Sequence, residues 1–397
     1  MISEIYVSHF RSIGDATISL GQTNVFVGKN GSGKSNIVDA ISFINDIASE
    51  DLDFAIVKRH GIDSIRQWSK FKPYHITIQV RTANPRGVGA YKIVISSSRN
   101  NYKIVEEQIR WIGETTYDDV RYDTLITRNA QGFLSVQTDY DDDDLDLEDI
   151  SKSKFESNQA MISSFGRRLH LLNWIVSYLR QELQSFSAFS IFPNTIRAPQ
   201  TISRAVNLEA DGKNIASVIR SLSSDARRKI VKHLKVVFPQ LVGITVKSAA
   251  GYYVPVFQIS EPNETGHHEL NMSQISDGTL RILGMLTAFY QINAPNKIVI
   301  EEPEQMIHPA LLIVIRDAIL DYVHRDPNAQ IFITTHSSVM MDLFEEDSII
   351  AVEHDGFATR AGPVSKRQLD VVRSGLMTLG EVVLAEGLEI DKPSTHS

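Results

Sequence analysis

The nine residues GKNGSGKSN, Gly28–Asn36, restrict this chain more than any other stretch. Two glycines stand five positions apart, and Lys34 and Ser35 follow directly. Gly28, Gly31 and Gly33 let the backbone turn sharply and aim its N–H groups at phosphate oxygens. Lys34 is placed to reach β- and γ-phosphates, and the Ser35 hydroxyl to hold Mg²⁺. The flanks agree. "NVFVG" before the loop reads as a buried strand. After it Ile37, Ile41, Ile44 and Ile47 recur at helical spacing, so a helix starts at the loop with its positive end toward an anion. A glycine-rich turn matching by chance would not carry both flanks.

Composition narrows the setting. The 397 residues are enough for two lobes. No apolar run is long enough to span a bilayer, and "MISEIYVSHFRS" lacks the layout of a signal peptide. There is no cysteine, which excludes disulfides and thiolate chemistry and makes a cytoplasmic location the expectation. The formal net charge is −8, and "DYDDDDLDLED", Asp139–Asp149, holds eight acids and no base, so the remainder is close to neutral. That stretch reads as a solvated loop; the bolder reading is an acidic tether for a basic partner. No global charge argues for nucleic acid, and local basic clusters carry that question. Arg167–Arg168 and Arg227–Lys229 with Lys232 and Lys235 fit either a solvated helix face or a DNA contact.

Patterning sets the organisation. "EIYVSHF", "ATISL" and "NVFVG" read as strands, and residues 74–136 are β-rich, with "YHITIQV", "YKIVIS" and "RYDTLITR" between polar turns. One long amphipathic helix is expected over Ser163–Phe186, a strand leading to a proline-rich corner within Phe189–Pro199, and one helix over Ile215–Phe238. From Leu280 helix and strand alternate, which argues a parallel sheet flanked by helices. Three regions are expected: 1–138 with the phosphate loop and a β-rich subdomain, 139–240 with the acidic loop and a helical insertion, and 241–397 as a second lobe.

A second group of residues lies in that last region. "KIVIEEPE" is an apolar strand ending in Glu301 and Glu302; "IFITTHSS" is another, ending in Thr-Thr-His336. A neighbouring strand of a phosphate-loop sheet can end at the same crevice. Glu301 would then serve Mg²⁺, Glu302 would orient or deprotonate water, and His336 would sense the γ-phosphate. Polar strand ends also occur for no functional reason. In "SQISDGTLRIL", Ser276 is the expected N-cap of a helix whose start can receive an anion.

In this order the motifs resemble an ABC-type ATPase head of the chromosome-maintenance (SMC) and recombination-mediator kind. More narrowly, they resemble compact bacterial "AAA family" ATPases related to the OLD nucleases and to phage-defence and DNA-repair ATPases. The stretches that carry the resemblance are "FRSIGDATISLGQTNVFVGKNGSGKSNIVDAI", "LEADGKNIASVI", "SQISDGTLRILGML", "IVIEEPEQMIHPALL", "IFITTHSSVMMDLF" and "MTLGEVVLAEG". The resemblance implies an α/β fold: a β-rich N-terminal lobe, a parallel-sheet RecA-like core flanked by helices, and a mainly helical insertion. It implies ATP and Mg²⁺ as ligands. The loop, with Gly28, Asn30, Gly31, Ser32, Gly33, Lys34, Ser35 and Asn36, becomes the Walker A motif. Ser276, Asp277 and Gly278 become the signature that acts on ATP held by a second subunit. Glu301, standing where the family usually has Asp, joins Ser35 at the metal. Glu302 and His336 become the catalytic glutamate and switch histidine, and Gln305–His308 the D-loop. Gln67, Gln79, Gln108 and Gln200 are the candidates for the Q-loop glutamine.

Sustained heptads for a long coiled coil are absent over about residues 120–190. "VVLAEGLEID" superficially matches the opening of a Toprim nuclease domain but reads as a helix, since only eleven residues follow Glu386. The leading expectation is therefore an ATP-gated homodimer, possible also as a higher oligomer, that hydrolyses ATP and works with a separate effector such as a nuclease or toxin. The competing expectations are a scaffold that binds ATP without turning it over, and the ATPase subunit of a membrane transporter. The Ser-Asp-Gly signature and β-rich first half argue against the transporter.

Overall fold

The computed structural model describes residues 1–68, 74–98, 101–114, 120–139, 152–165, 170–260 and 266–391. They form two compact units, each assembled from separated stretches of chain.

The first unit comprises 1–186, 350–370 and 388–397. Its strands are β1 (Ile2–Phe10), β2 (Ile13–Ser19), β3 (Thr23–Val27), β4 (Ile76–Asn84), β5 (Gly87–Ser98), β6 (Asn101–Glu114), β7 (Arg121–Arg128) and β8 (Leu134–Thr138), with β16 (Ile349–His354) and β17 (Thr359–Pro363) from late in the chain. The sheet runs β8-β7-β6-β5-β4-β1-β2-β17-β16-β3. β4 through β8 form an antiparallel meander. Strict alternation explains its one-sided core: Ile76, Ile78 and Val80 are buried, while Arg81 faces water. The helix Lys34–Ser49 follows β3 and buries Ile37, Ile41, Ile44 and Ile47, the stripe its spacing predicts. Arg59 is locked onto this helix between Asp39 and Asp46, at 2.8 and 2.7 Å, with its side chain only 4% exposed.

The second unit comprises 187–349 and 371–387. Its β9 (Phe186–Phe189), β14 (Lys297–Glu301) and β15 (Gln330–Thr335) run in the order β15-β14-β9. β14 and β15 are parallel, with Glu301 opposite Thr334. Val299, Ile300, Phe332 and Ile333 are buried, each worth roughly 1.5–3 kcal/mol of apolar burial. Such continuous apolar runs are what a parallel strand covered on both faces requires. The helices Asp277–Tyr290 and Leu312–His324 pack together, and the latter also meets β15. A separate antiparallel sheet holds β10 (Gln200–Thr201), β11 (Leu241–Ala249), β12 (Tyr252–Ile259) and β13 (His268–Asn271).

Three expectations of element length need correction. Ile215–Phe238 is two helices, Ile215–Ser221 and Ser224–Val237: Leu222 leaves helical geometry, and the Ser223 hydroxyl caps the second by accepting from the Ala226 amide. Ser163–Phe186 is likewise broken. Phe165 is extended after the helix Met161–Ser164, and a further helix spans His170–Gln184. The strand expected to run from Phe189 to a proline-rich corner instead ends at Phe189, and Pro193 opens a short helix, Pro193–Arg197, where its missing N–H costs nothing. The acidic stretch, apart from Asp139, lies outside the described residues, as do Arg167 and Arg168. Val382–Glu386 does lie in a helix, Leu379–Glu386, which ends at Gly387 with φ of 85°.

Candidate functional site

In the first unit, β3 runs into the glycine loop and the loop into the helix Lys34–Ser49, the order expected from the sequence. The helix starts at Gly33, φ 101°, with no side-chain cap, so no side chain competes for an anion at its positive end. Gly28 has no room for a side chain: a Cβ there would lie 2.1 Å from the Val352 carbonyl oxygen and 2.6 Å from Ser32 Oγ. Gly31, φ 78°, faces open space. Lys34 is buried and its Nζ donates to the carbonyls of Gly28 (2.8 Å) and Lys29 (3.1 Å). Asn30 and Ser35 are exposed, while Ser32 is buried with no hydrogen-bond partner for its hydroxyl.

Two residues that sequence reasoning did not single out brace this loop. Thr359 is fully buried on β17, and its hydroxyl donates to the Ser32 carbonyl at 2.9 Å. It also pairs with the Ser12 hydroxyl at 2.7 Å, which in turn accepts from Asn36 Nδ2 at 2.6 Å. A Cβ on Gly33 would strike the Thr359 side chain. Ser12 sits in "FRS", within the stretch of the first strands that carried the resemblance; Thr359, 327 residues from Ser32, has no local signal.

In the second unit, β14 and β15 end side by side. The Glu302 amide donates to the Thr334 carbonyl at 2.8 Å, and Glu302 has a left-handed φ of 45°. A non-glycine residue there carries a strain of about 1–3 kcal/mol, which its surroundings must hold. Arg281 helps: buried in the helix Asp277–Tyr290, it donates to the carbonyls of Glu302 (2.9 Å), Glu301 (3.4 Å) and Ile191 (2.9 Å). Burial lowers the Arg281 guanidinium pKa, and the charges of Glu304 and Glu302 oppose that shift. His336 Nδ1 lies 3.6 Å from Glu302 Oε1 and 3.6 Å from Glu304 Oε1. Gln305 donates to the other Glu302 oxygen. Glu302 and His336 are thus brought together, with Glu301 on the paired strand end. Glu304, Gln305 and Thr335 join the group; Glu304 and Gln305 directly follow Glu-Glu-Pro, Gln305 opening the stretch expected as the D-loop, and Thr335 lies inside Thr-Thr-His.

Ser276 caps the helix Asp277–Tyr290, accepting from the Thr279 amide at 3.2 Å. Asp277 pairs with Arg197 at 2.6 Å, and a Cβ on Gly278 would come within 3.0 Å of the Met306 carbonyl. Ser276 and Asp277 stay exposed. Of the glutamine candidates, Gln200 is spent internally, accepting from the Ala216 amide and donating to the Ile196 carbonyl. Gln108 donates to Glu106 on the meander, and Gln79 lies on β4. Gln67 Nε2 would lie 3.8 Å from a Cβ on Gly14, near Ala358.

A family model described as "AAA domain, putative AbiEii toxin, Type IV TA system" matches residues 23–342, most of the chain. The chain belongs to this family. Among solved structures, the SMC head bound to the C-winged-helix domain of ScpA matches with a TM-score of 0.50 at 15% identity, covering 91% of this chain and 96% of that one. The SMC head domain from Thermotoga maritima matches at 0.44 and 13%, covering 92% and 99%. The Pyrococcus furiosus Smc head, with an extended coiled coil and bound to the C-terminal domain of ScpA, matches at 0.46 and 13%, covering 94% and 99%. No curated protein matches. This AAA-family chain has the α/β fold of an SMC-like ABC ATPase head and is an ATP-binding ATPase by family. No helix among its described residues is long and apolar enough to cross a membrane.

Proposed function

We propose that this chain hydrolyses ATP as an ATP-gated dimer and signals to a separate effector protein. The observation that carries the reading is the Glu302–His336 pair, held at 3.6 Å at the ends of two parallel strands. The loop also fits a triphosphate: the space beside Gly31 is open, and the helix start at Gly33 is uncapped. Lys34 then exchanges its loop carbonyls for β- and γ-phosphate oxygens, as a positive donor on a flexible stem can. Asn30, Gly31, Ser32, Gly33 and Asn36 shape the cradle. Ser35 and Glu301 are the residues that would hold Mg²⁺, which supplies charge neutralisation to the phosphates. Glu302 accepts the proton of the attacking water, and His336 binds the γ-phosphate side. Ser276, Asp277 and Gly278 present a helix start to the ATP of a second copy.

Glu302→Gln keeps size and removes the base. ATP binding is expected to persist while turnover falls by about two orders of magnitude. Unchanged turnover, or a wild-type protein that binds ATP and never hydrolyses it, would leave the ATP-assembled scaffold as the better account.

The family description, which names a putative toxin of a Type IV TA system, supports a phage-defence setting with a partner protein over a DNA-repair one. DNA contact is assigned to one face of the helix Ser224–Val237, where Arg227, Arg228, Lys232 and Lys235 line a groove with Gln258. Lys232→Glu with Lys235→Glu should weaken duplex binding and flatten its salt dependence. Equal affinity in the double variant would return this face to simple solvation.

A further inference from the structure

Glu304 is largely but not fully buried beside the proposed catalytic pair, and the proposed function gives it no part. Its side chain is 11% exposed, against 27% for Glu302 and 45% for His336. A carboxylate that merely ended a strand would face water, because burial of a charge is costly without compensating donors. This one turns inward. Its Oε1 accepts from Thr335 Oγ1 at 2.6 Å and from the His336 amide at 3.3 Å. The Ser337 amide donates to that same Thr335 hydroxyl at 3.0 Å, and Ser337 caps the next helix turn by accepting from the Met340 amide. The three residues that leave β15 are therefore tied to one carboxylate oxygen. The exposed imidazole of His336 has little packing to aim it, so the turn beneath it sets its direction.

We propose that Glu304 is a positioning residue of the hydrolytic site, clamping the Thr335–Ser337 turn so that His336 faces Glu302. The inference rests on the ATPase reading for its effect on rate, but the clamp itself does not require turnover. Glu304 Oε2 is buried with no hydrogen-bond partner, so the clamp works through Oε1 alone. A carboxamide oxygen can therefore replace it, because both donors need only an acceptor.

The experiment compares Glu304→Ala, Glu304→Gln and Thr335→Val with wild type in the full chain. Steady-state ATP turnover is measured alongside the imidazole NMR signals of His336, assigned with His336→Gln. Glu304→Ala should lower kcat by about tenfold or more with KM changed less than about threefold, the pattern of a misplaced catalytic group. The His336 signals should move. Glu304→Gln should restore kcat, although loss of the charge 3.6 Å from His336 Nδ1 shifts its signals in its own right. Thr335→Val, which leaves the acid in place and removes its hydroxyl donor, should move both kcat and the signals in the direction of Glu304→Ala. Wild-type kcat and unmoved His336 signals in Glu304→Ala would overturn the clamp. So would a Glu304→Gln variant as impaired as Glu304→Ala. If Glu304→Ala fails to fold, Thr335→Val decides: wild-type rate and signals there reject the proposal. If wild-type protein never hydrolyses ATP, the ATPase reading falls while the His336 signals still decide the clamp.

Discussion

Lys34 spends its charge on its own loop, donating to the Gly28 and Lys29 carbonyls. Phosphate oxygens are stronger acceptors for an ammonium than neutral carbonyls, which is why a triphosphate can take over those bonds. Lys34→Ala should therefore reduce ATP affinity by about tenfold or more, the scale of one charge-assisted contact, while the fold survives. Calorimetric titration with Mg·ATP and a melting curve check both halves, and unchanged affinity would remove the loop from the nucleotide site. Glu302 is a different kind of residue. Its proposed role was read from the Glu-Glu-Pro run, but its left-handed backbone and the Arg281 support beneath it were not. A φ above zero at a non-glycine residue has no signature in residue type, since the surroundings impose it.

The helix Ser224–Val237 shows what an element can hide. Its sequence advertises bases, yet two of its polar residues are tied to the neighbouring helices. His233 Nε2 lies 3.0 Å from the Tyr290 hydroxyl, which donates to Asp321 at 2.5 Å, and Lys229 reaches Asp321 at 3.4 Å. Burial pushes His233 below its ordinary value of 6.5. A histidine depressed in the folded state is protonated more readily when unfolded. Its contribution to stability is therefore complete above about pH 6.5 and lost as pH falls toward its folded value. Urea denaturation should show a lower midpoint at pH 5.5 than at pH 7.5, with the difference reduced in His233→Gln. An identical pH dependence in that variant would place the titrating group elsewhere. At this scale the sequence pattern was a good guide to β1–β5 and to the helix after the loop, because periodicity reports which face is buried. It overran at Leu222, where a single residue leaves helical geometry without a proline or glycine to announce it, and at Phe165, where Gly166 follows directly and was passed over.

At the scale of the whole molecule, the exposed Ser276 at the start of a long helix is the feature that points beyond one copy. Ser276→Arg removes a cap worth about 1 kcal/mol and fills the helix start with a bulky cation. It should leave ATP binding by one copy intact and abolish both ATP-dependent dimerisation and turnover. Sedimentation with and without ATP, beside a turnover assay, checks this, and a variant that dimerises and hydrolyses like wild type would rule out a shared site. The sequence alone determined the chemistry on offer: a glycine loop between strand and helix, a helix capped by Ser276, and carboxylates and a histidine at the ends of apolar strands. Those are local facts, written within a dozen residues each, where backbone preference and side-chain period act directly. The bracing of the loop belongs to the tertiary structure. Gly28 is compelled by a carbonyl on β16 and Gly33 by Thr359 on β17, and both strands come from the last fifty residues of the chain. Likewise Glu304 meets Thr335 only because β14 and β15 pair in a register that sets Glu301 opposite Thr334. Contacts between residues far apart in the chain leave no periodic trace in either segment, so only the folded arrangement could decide them.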